Sequence, residues 1–512
     1  MTVMDAFCIG RLRFIRLPPS WISLPRTSST KPQTVDFDLA VGATDDYGTD
    51  LQFDSVDLKL EILDATTLDP VRGVQLRLEG ASTYRSSAAA HPASVRFAFS
   101  PAQGPILKLK LSLTFMPEFV AGKTRSALVF SLSVAPTTSG DIASPNKLVT
   151  STSTSTLRTA LGEASQPVIE TWDDRRYVLM GLRSGPVEIR VDKEPAKVAQ
   201  EKVQTAIRTV HVEKPLSSAT EWTDAAGAIQ ITERPGLNNS TGQRLWDCAI
   251  GLTSFLSQNP AALDPNSSLR ALSHERGDAD HEDLATSRPA KRLRPDDASS
   301  SSPRQLRVVE LGAGCALASM VAAQLLSSES NHGAASVLAT DVEATVESTL
   351  KENLVANGLA LSDSTVSSTV PSRPKAKAPI KVERAVLEWG RLSDEQLAVV
   401  LRYPHPTRGR SDRDSPGDDG AALTILATDV LYNPESHPLL LATLLSLLRP
   451  TDGPAQSCSP PSGSSPTVPR RALVAYKRRT DGDDGFFPLA RGAGLKVQKV
   501  WEWGEVGVWS LT

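Results

Sequence analysis

The first third of the chain alternates apolar and polar residues with a period of two. Val35-Asp-Phe-Asp-Leu-Ala-Val, Val56-Asp-Leu-Lys-Leu-Glu-Ile-Leu, Val74-Gln-Leu-Arg-Leu, Val95-Arg-Phe-Ala-Phe, Ile106-Leu-Lys-Leu-Lys-Leu-Ser-Leu and Leu128-Val-Phe-Ser-Leu-Ser-Val all read as half-buried antiparallel strands. Turns rich in Pro, Gly and Asp separate them, which predicts a β-rich, sandwich-like module over 1–135. Residues 136–165 are a Ser/Thr/Pro tract and read as a flexible linker. Over 166–228 the pattern is weaker. Tyr177-Val-Leu-Met and Val187-Glu-Ile-Arg-Val are candidate strands, and the mixed-charge stretch from Lys193 to Lys214 has no assignment. No acidic triplet, aromatic stripe or basic patch in this half recommends a ligand, so it reads as a packing or protein-interaction module.

From about residue 229 the pattern changes. A short strand, Ile229-Gln-Ile-Thr-Glu, precedes an apolar helix that begins near Trp246 and runs through Leu256. Strands are then expected at 307–311, 336–341, 381–387, 423–428, 471–476, 495–501 and 506–511, with helices at 315–327, 343–357, 393–402, 437–448 and 484–491. Strands alternating with helices predict a parallel sheet covered on both faces, and the last two strands predict a closing hairpin. The insertions 258–304, 359–379, 404–421 and 451–469 each follow a helix and precede a strand, at the amino ends of the strands. Connections leaving the carboxyl ends stay short, and ligands of open α/β sheets bind at that end.

The chemistry gathers there. Val308-Val-Glu-Leu-Gly-Ala-Gly314 is a strand running into a glycine turn, and Val337-Leu-Ala-Thr-Asp341 ends the next strand on an acid. Gly312 and Gly314 let the backbone turn sharply and approach a ligand, and an acid at the second strand tip is placed to grip ribose hydroxyls. A dinucleotide fingerprint would put glycine at 317, where this chain has Leu317, and its acid about 20 residues on. Asp341 lies 27 beyond Gly314. The shorter turn is instead similar to that of seven-stranded S-adenosylmethionine-dependent methyltransferases.

Five motifs then occur in order: Thr241-Gly…Leu245-Trp246-Asp247, Val309-Glu-Leu-Gly-Ala-Gly, Leu338-Ala-Thr-Asp, Leu387-Glu-Trp-Gly and Asp429-Val-Leu-Tyr432. With Tyr476-Lys-Arg-Arg and Phe486-Phe487, they resemble the lysine methyltransferase, or nicotinamide N-methyltransferase-like, family 16. Its members methylate lysines of chaperones, AAA ATPases and translation factors. The resemblance covers 229–512, leaving the β-rich half outside. It implies a Rossmann-like, seven-stranded α/β sheet and S-adenosylmethionine as cofactor. It further implies that Glu310, Gly312, Gly314, Asp341, Trp389, Trp246 and Thr428 bind the cofactor, and that Asp429 and Tyr432 receive the target lysine.

Such a lysine has to arrive as the neutral amine, which at about pH 7.4 costs about 4 kcal/mol unless the site desolvates it. A carboxylate and an aromatic hydroxyl at the rim suit that task by orienting the amine. A small-molecule N-methyltransferase on the same core and a non-catalytic scaffold are the alternatives. Cys315, directly after the turn, reads as a small core residue rather than a nucleophile. The basic triplet Lys477-Arg478-Arg479 reads as solvated surface.

Composition adds bounds. The 512 residues suffice for two or three domains, and 40% hydrophobic content supports real cores. A formal charge of −3 gives no pull toward nucleic acid or anionic membrane. Four scattered cysteines and seven scattered histidines suggest neither a disulfide framework nor a metal site. These features lead us to expect a soluble, cytoplasmic monomer with a protein substrate and no metal. The run Lys291-Arg292-Leu293-Arg294 is a candidate nuclear address or an ordinary loop cluster.

Overall fold

The computed structural model describes residues 7–25, 31–79, 91–121, 127–135, 168–170, 176–192, 197–200, 205–212, 227–234, 240–269, 305–328, 335–361, 380–401, 422–449, 468–480 and 482–512. The linker 136–165, the basic run 291–294, Cys458 and most of the four insertions lie outside them.

The β-rich half forms two sheets. A six-stranded sheet runs Val74–Glu79, Leu107–Phe115, Gln33–Thr44, Phe7–Arg16, Arg176–Met180, Val168–Glu170. A nine-stranded sheet runs Lys197–Gln200, Pro19–Pro25, Val187–Asp192, Ala127–Val134, Leu182–Ser184, Ala206–His211, Ala228–Glu233. Val56–Asp64 also pairs with Ala127–Val134, and Ser94–Phe99 pairs with Val56–Asp64. The inward side chains interdigitate. Leu12, Val41 and Leu111 from one sheet share a core with Leu58, Leu60 and Leu132 from the other, and Phe37 meets Phe130 edge to face at 5.5 Å.

This pairing corrects three readings. The unit does not stop at 135, because Arg176–Met180 pairs in parallel with Phe7–Arg11 at the centre of the first sheet. The mixed-charge stretch supplies the strands Lys197–Gln200 and Ala206–His211. The boundary at 229 cuts a strand, since Ala228–Glu233 pairs with Ala206–His211 and belongs to the β unit. Such pairings join residues far apart in sequence, and period-two alternation reports a strand without naming its neighbour.

The α/β half follows the expected element order to within two residues at each end. Its sheet runs Val382–Val386, Ala335–Asp341, Leu306–Leu311, Ala422–Thr428, Arg470–Lys477, Val506–Leu511, Val497–Trp503. The first five strands are parallel, and the final two pair antiparallel. Helices Asp247–Gln258 and Leu317–Ser328 pack together on one face, with Cys248, Leu252 and Leu256 against Leu317, Val321 and Leu325 in one core. His437–Leu448 and Phe486–Gly492 cover the other face through Leu440, Leu444, Phe486 and Phe487. The start of the first insertion is built into the fold. Thr424 Oγ1 donates to the Leu263 carbonyl at 2.7 Å, and Arg471 donates to the carbonyls of Pro265 and Ser267.

The two halves share a core. Ile9, Val178, Met180, Val210, Ile229 and Ile231 of the β unit cluster with Leu245, Ile250 and Cys315 of the α/β half. The edge strand Ala228–Glu233 meets the helical run 343–356 and its C-terminal cap through two asparagines. Asn353 Oδ1 accepts from Thr232 N at 2.8 Å, and Asn357 Oδ1 accepts from Gln230 N at 2.9 Å while its Nδ2 donates back to Gln230 O at 2.7 Å. Spaced i and i+4 on a helix, the two amides match residues i and i+2 of a strand.

Candidate active site

The glycine turn leaves the carboxyl end of Leu306–Leu311. Gly312 and Gly314 have φ of 62° and 52°, and Ala316 follows at 62°. A side chain at 312 would be crowded as well as strained: a Cβ there would stand 3.0 Å from Val430 Cγ1 and 3.1 Å from the Trp389 ring. Trp389 thus lies against Gly312, half-buried. At Gly314 the close neighbour is the carbonyl of Gly242, 3.4 Å from where a Cβ would be, so the Thr241-Gly242 motif meets the turn in space.

Asp341 ends the next strand and ties the turn to it. Its Oδ2 accepts from Gly314 N at 2.8 Å and its Oδ1 from Val342 N at 2.7 Å. Burial raises its carboxyl pKa, and these amide hydrogen bonds pull the other way. The Thr345 hydroxyl also hydrogen-bonds this carboxylate and works in the same lowering direction.

Glu310 lies fully buried beneath the turn. Ser319 donates both its amide (2.9 Å) and its hydroxyl (2.6 Å) to Oε2, while Oε1 has no hydrogen-bond partner among the described residues. Desolvation pushes its pKa up to about 7, against the lowering effect of Ser319. A buried carboxylate with a spare oxygen fits a cationic ligand.

Thr428 and Asp429 end the Ala422–Thr428 strand, and both are buried. Asp429 takes the left-handed conformation at φ 56°, a backbone cost held in place by its contacts. Its Oδ1 accepts from Arg479 Nε at 3.1 Å and from the Cys248 thiol at 3.4 Å, and its Oδ2 pairs with Arg479 Nη2. Burial raises the Asp429 pKa and Arg479 opposes that rise. Tyr432, three residues on, is 50% exposed at the rim.

The basic triplet is therefore not solvated surface. Arg478 alone is open, while Lys477 and Arg479 are buried. Arg479 is sandwiched, its Cζ 4.6 Å from the Trp246 ring and 4.8 Å from the Tyr47 ring. Trp246 accordingly stands beside Arg479 at the Asp429 end of the site. Lys477 Nζ stands 3.1 Å from Asp46, from Asp247 and from Glu505, and Asp247 also pairs with Arg11 at 2.6 Å. Burial works to lower the Lys477 pKa, and the surrounding carboxylates outweigh it and raise it.

Sequence reasoning missed Asp46, Tyr47, Asp247 and Arg479 as members of this site. The triplet and the Trp246-Asp247 motif were the available signals, but two of the triplet's partners, Asp46 and Tyr47, sit in the other half of the chain. Cys248 and Cys315 are fully buried, and desolvation pushes both thiols well up, away from nucleophilic character.

Comparison with known proteins bears on the same region. No curated protein matches the chain. Among solved structures, a cohesin module of a family 33 glycoside hydrolase from Clostridium perfringens matches at 10% identity over 36% of this chain and 99% of its own length, TM-score 0.17. AggA, the major subunit of the aggregative adherence fimbriae of Escherichia coli, matches at 10% identity over 37% and 99%, TM-score 0.19. Neither value is high enough to argue from. Residues 225–371, which hold the Trp246 motif, the glycine turn and Asp341, match the lysine methyltransferase family. Over those residues the chain is similar to the domain that defines that family.

Proposed function

We propose that the α/β half is an S-adenosylmethionine-dependent methyltransferase acting on a lysine side chain of a protein. The observation that carries the cofactor assignment is the Glu310–Gly314–Asp341 arrangement. A turn held open by two positive-φ glycines is hydrogen-bonded to a strand-end acid, above a buried carboxylate with an unused oxygen. Glu310 suits the cationic methionine portion, Asp341 the ribose hydroxyls, and Trp389 and Thr428 flank the glycine turn and the neighbouring strand end. The bound cofactor would supply an electrophilic methyl group on a sulfonium. The strand order, with an antiparallel closing pair, supports a Rossmann-like methyltransferase sheet.

The chain's contribution to transfer is positioning, which carries most of the catalysis in an in-line displacement. Asp429 is already paired with Arg479, so it orients the acceptor instead of collecting its proton. Tyr432 presents an exposed ring and hydroxyl for the lysine stem and amine. An open rim edged by the β unit favours a protein over a small molecule. The resemblance suggests a chaperone, an AAA ATPase or a translation factor.

Calorimetric titration with S-adenosylmethionine tests this reading, with Asp341→Ala in parallel. Micromolar binding that the variant loses, followed by labelled methyl transfer to lysine in a cell extract, is the expected result. No binding by the wild type would overturn it.

A further inference from the structure

The β unit reaches the acceptor end of the site through one turn, Asp45–Gly48. The turn is rigid by construction. Asp45 Oδ1 accepts from Tyr47 N at 2.9 Å and from Thr49 N at 2.8 Å, and Asp45 N donates to Thr49 O at 2.9 Å. Gly48 closes it at φ 90°. Its next residue, Asp46, is 4% exposed and lies between two cations of the other half, Lys477 Nζ at 3.1 Å and Arg479 Nη2 at 3.2 Å. Tyr47 covers Arg479 from outside and keeps 48% of its own surface open.

Arg479 is thus fixed on four sides: Asp429 and Asp46 by charge, Trp246 and Tyr47 by ring faces. Its main-chain N–H donates to Asp483 Oδ2 at 2.9 Å, which anchors the backbone as well. A buried charge held at an acceptor group costs desolvation that a merely adhesive contact between two units need not incur. An apolar patch would join the units more cheaply, and the shared core already supplies one. The ion chain Asp46–Arg479–Asp429 instead ends on the left-handed residue of the D-x-x-Y motif.

We propose that Asp46 is a positioning residue of the methyl-transfer site. It holds Arg479 against Asp429, so the β unit completes the acceptor rim and Tyr47 forms its outer wall. This rests on the methyltransferase reading for its consequence and on the ion chain for its geometry.

The test uses the full chain and two probes. Phenylglyoxal modification followed by peptide mass spectrometry reads the hold on Arg479, with exposed Arg478 as the reference beside it. Labelled methyl transfer into a heat-treated cell extract, from pH 6 to 9, reads the consequence. In Asp46→Asn, Arg479 should be modified about tenfold faster relative to Arg478. Transfer should fall, with a displaced pH profile and unchanged cofactor affinity by calorimetry, and Asp46→Glu should restore part of each.

Should Asp46→Asn fail to fold, Tyr47→Leu removes one ring face without burying an unpaired charge. It should speed modification of Arg479 about threefold. Equal protection of Arg479 in wild type and variants would overturn the proposal. So would faster modification with transfer and pH profile unchanged. A wild type that binds no S-adenosylmethionine would defeat the methyltransferase reading instead, and the phenylglyoxal comparison would still decide whether Asp46 holds Arg479.

Discussion

Ser319 gives both its amide and its hydroxyl to one oxygen of Glu310 and leaves the other without a donor. The two residues are joined across the glycine turn, so the helix that follows the turn fixes the carboxylate beneath it. The arrangement holds a carboxyl group near neutrality, with its pKa pushed up to about 7 by burial. A cation bound above the turn favours the ionised form. S-adenosylmethionine should therefore bind more tightly as pH rises from 6 to 8, and calorimetry across that range should show it. Glu310→Gln should flatten the dependence and weaken binding at pH 8 by about tenfold or more, the scale of a charge-assisted hydrogen bond.

The same group predicts a stability profile for the free protein. An acid whose folded pKa lies above its unfolded value binds more protons when folded, so stability declines as pH climbs from about 4.5 toward about 7. The upper bound is about 3 kcal/mol. Thermal melts of Glu310→Gln should lose that part of the slope between pH 5 and 8, while a wild-type slope that persists unchanged in the variant would assign it elsewhere.

Arg479→Gln should be costly in two ways. It leaves the Asp429 carboxylate buried beside only the Cys248 thiol, and breaking such a pair typically costs about 3–5 kcal/mol. It also removes the charge that keeps the Asp429 pKa down, so the acidic limb of the methyl-transfer profile should move to higher pH. Adding Asp429→Asn should recover part of the lost stability, because the stranded charge is gone. Denaturant melts of the single and double variants measure this directly.

At the turn, Gly312→Ala should be more damaging than Gly314→Ala. Both positions have positive φ, but a Cβ at 312 meets Val430 and the Trp389 ring at 3.0 and 3.1 Å, whereas at 314 the nearest atom is 3.4 Å away. Cofactor affinity and melting temperature should both fall further for Gly312→Ala, by about 1–2 kcal/mol in stability.

The halves should melt as one. Their cores are continuous, and the Asp247 carboxylate bridges Arg11 of the β unit and Lys477 of the α/β half. Calorimetry should give a single transition, and Asp247→Ala should lower it by the equivalent of about 3–5 kcal/mol while leaving it single.

Much of this was legible in the sequence because it is periodic or local. The α/β strands, the glycine turn and the acid at 341 follow from apolar runs and from glycines that must turn. The strand Phe7–Arg16 escaped because Arg11 and Arg13 break its apolar pattern. Arg11 is nevertheless buried, its charge answered by Asp247, which lies 236 residues away. Asp46 and Tyr47 escaped for the related reason that a turn has no period, and Lys477, 431 residues distant, cannot be read as its partner from composition. The triplet 477–479 looked solvated because three adjacent charges ordinarily are. Here only the middle one is.

The asparagine pair at 353 and 357 has a consequence for how the chain can be taken apart. A terminal strand normally offers its free backbone groups to any chain able to pair with them. On Ala228–Glu233 those groups at Gln230 and Thr232 are occupied by side-chain amides of a helix. A fragment ending after 234 would uncover that strand, and the apolar faces of Ile229 and Ile231 with it. The helix is thus a chaperone carried in the same chain: the β unit cut free would recruit further copies of itself along the bared edge.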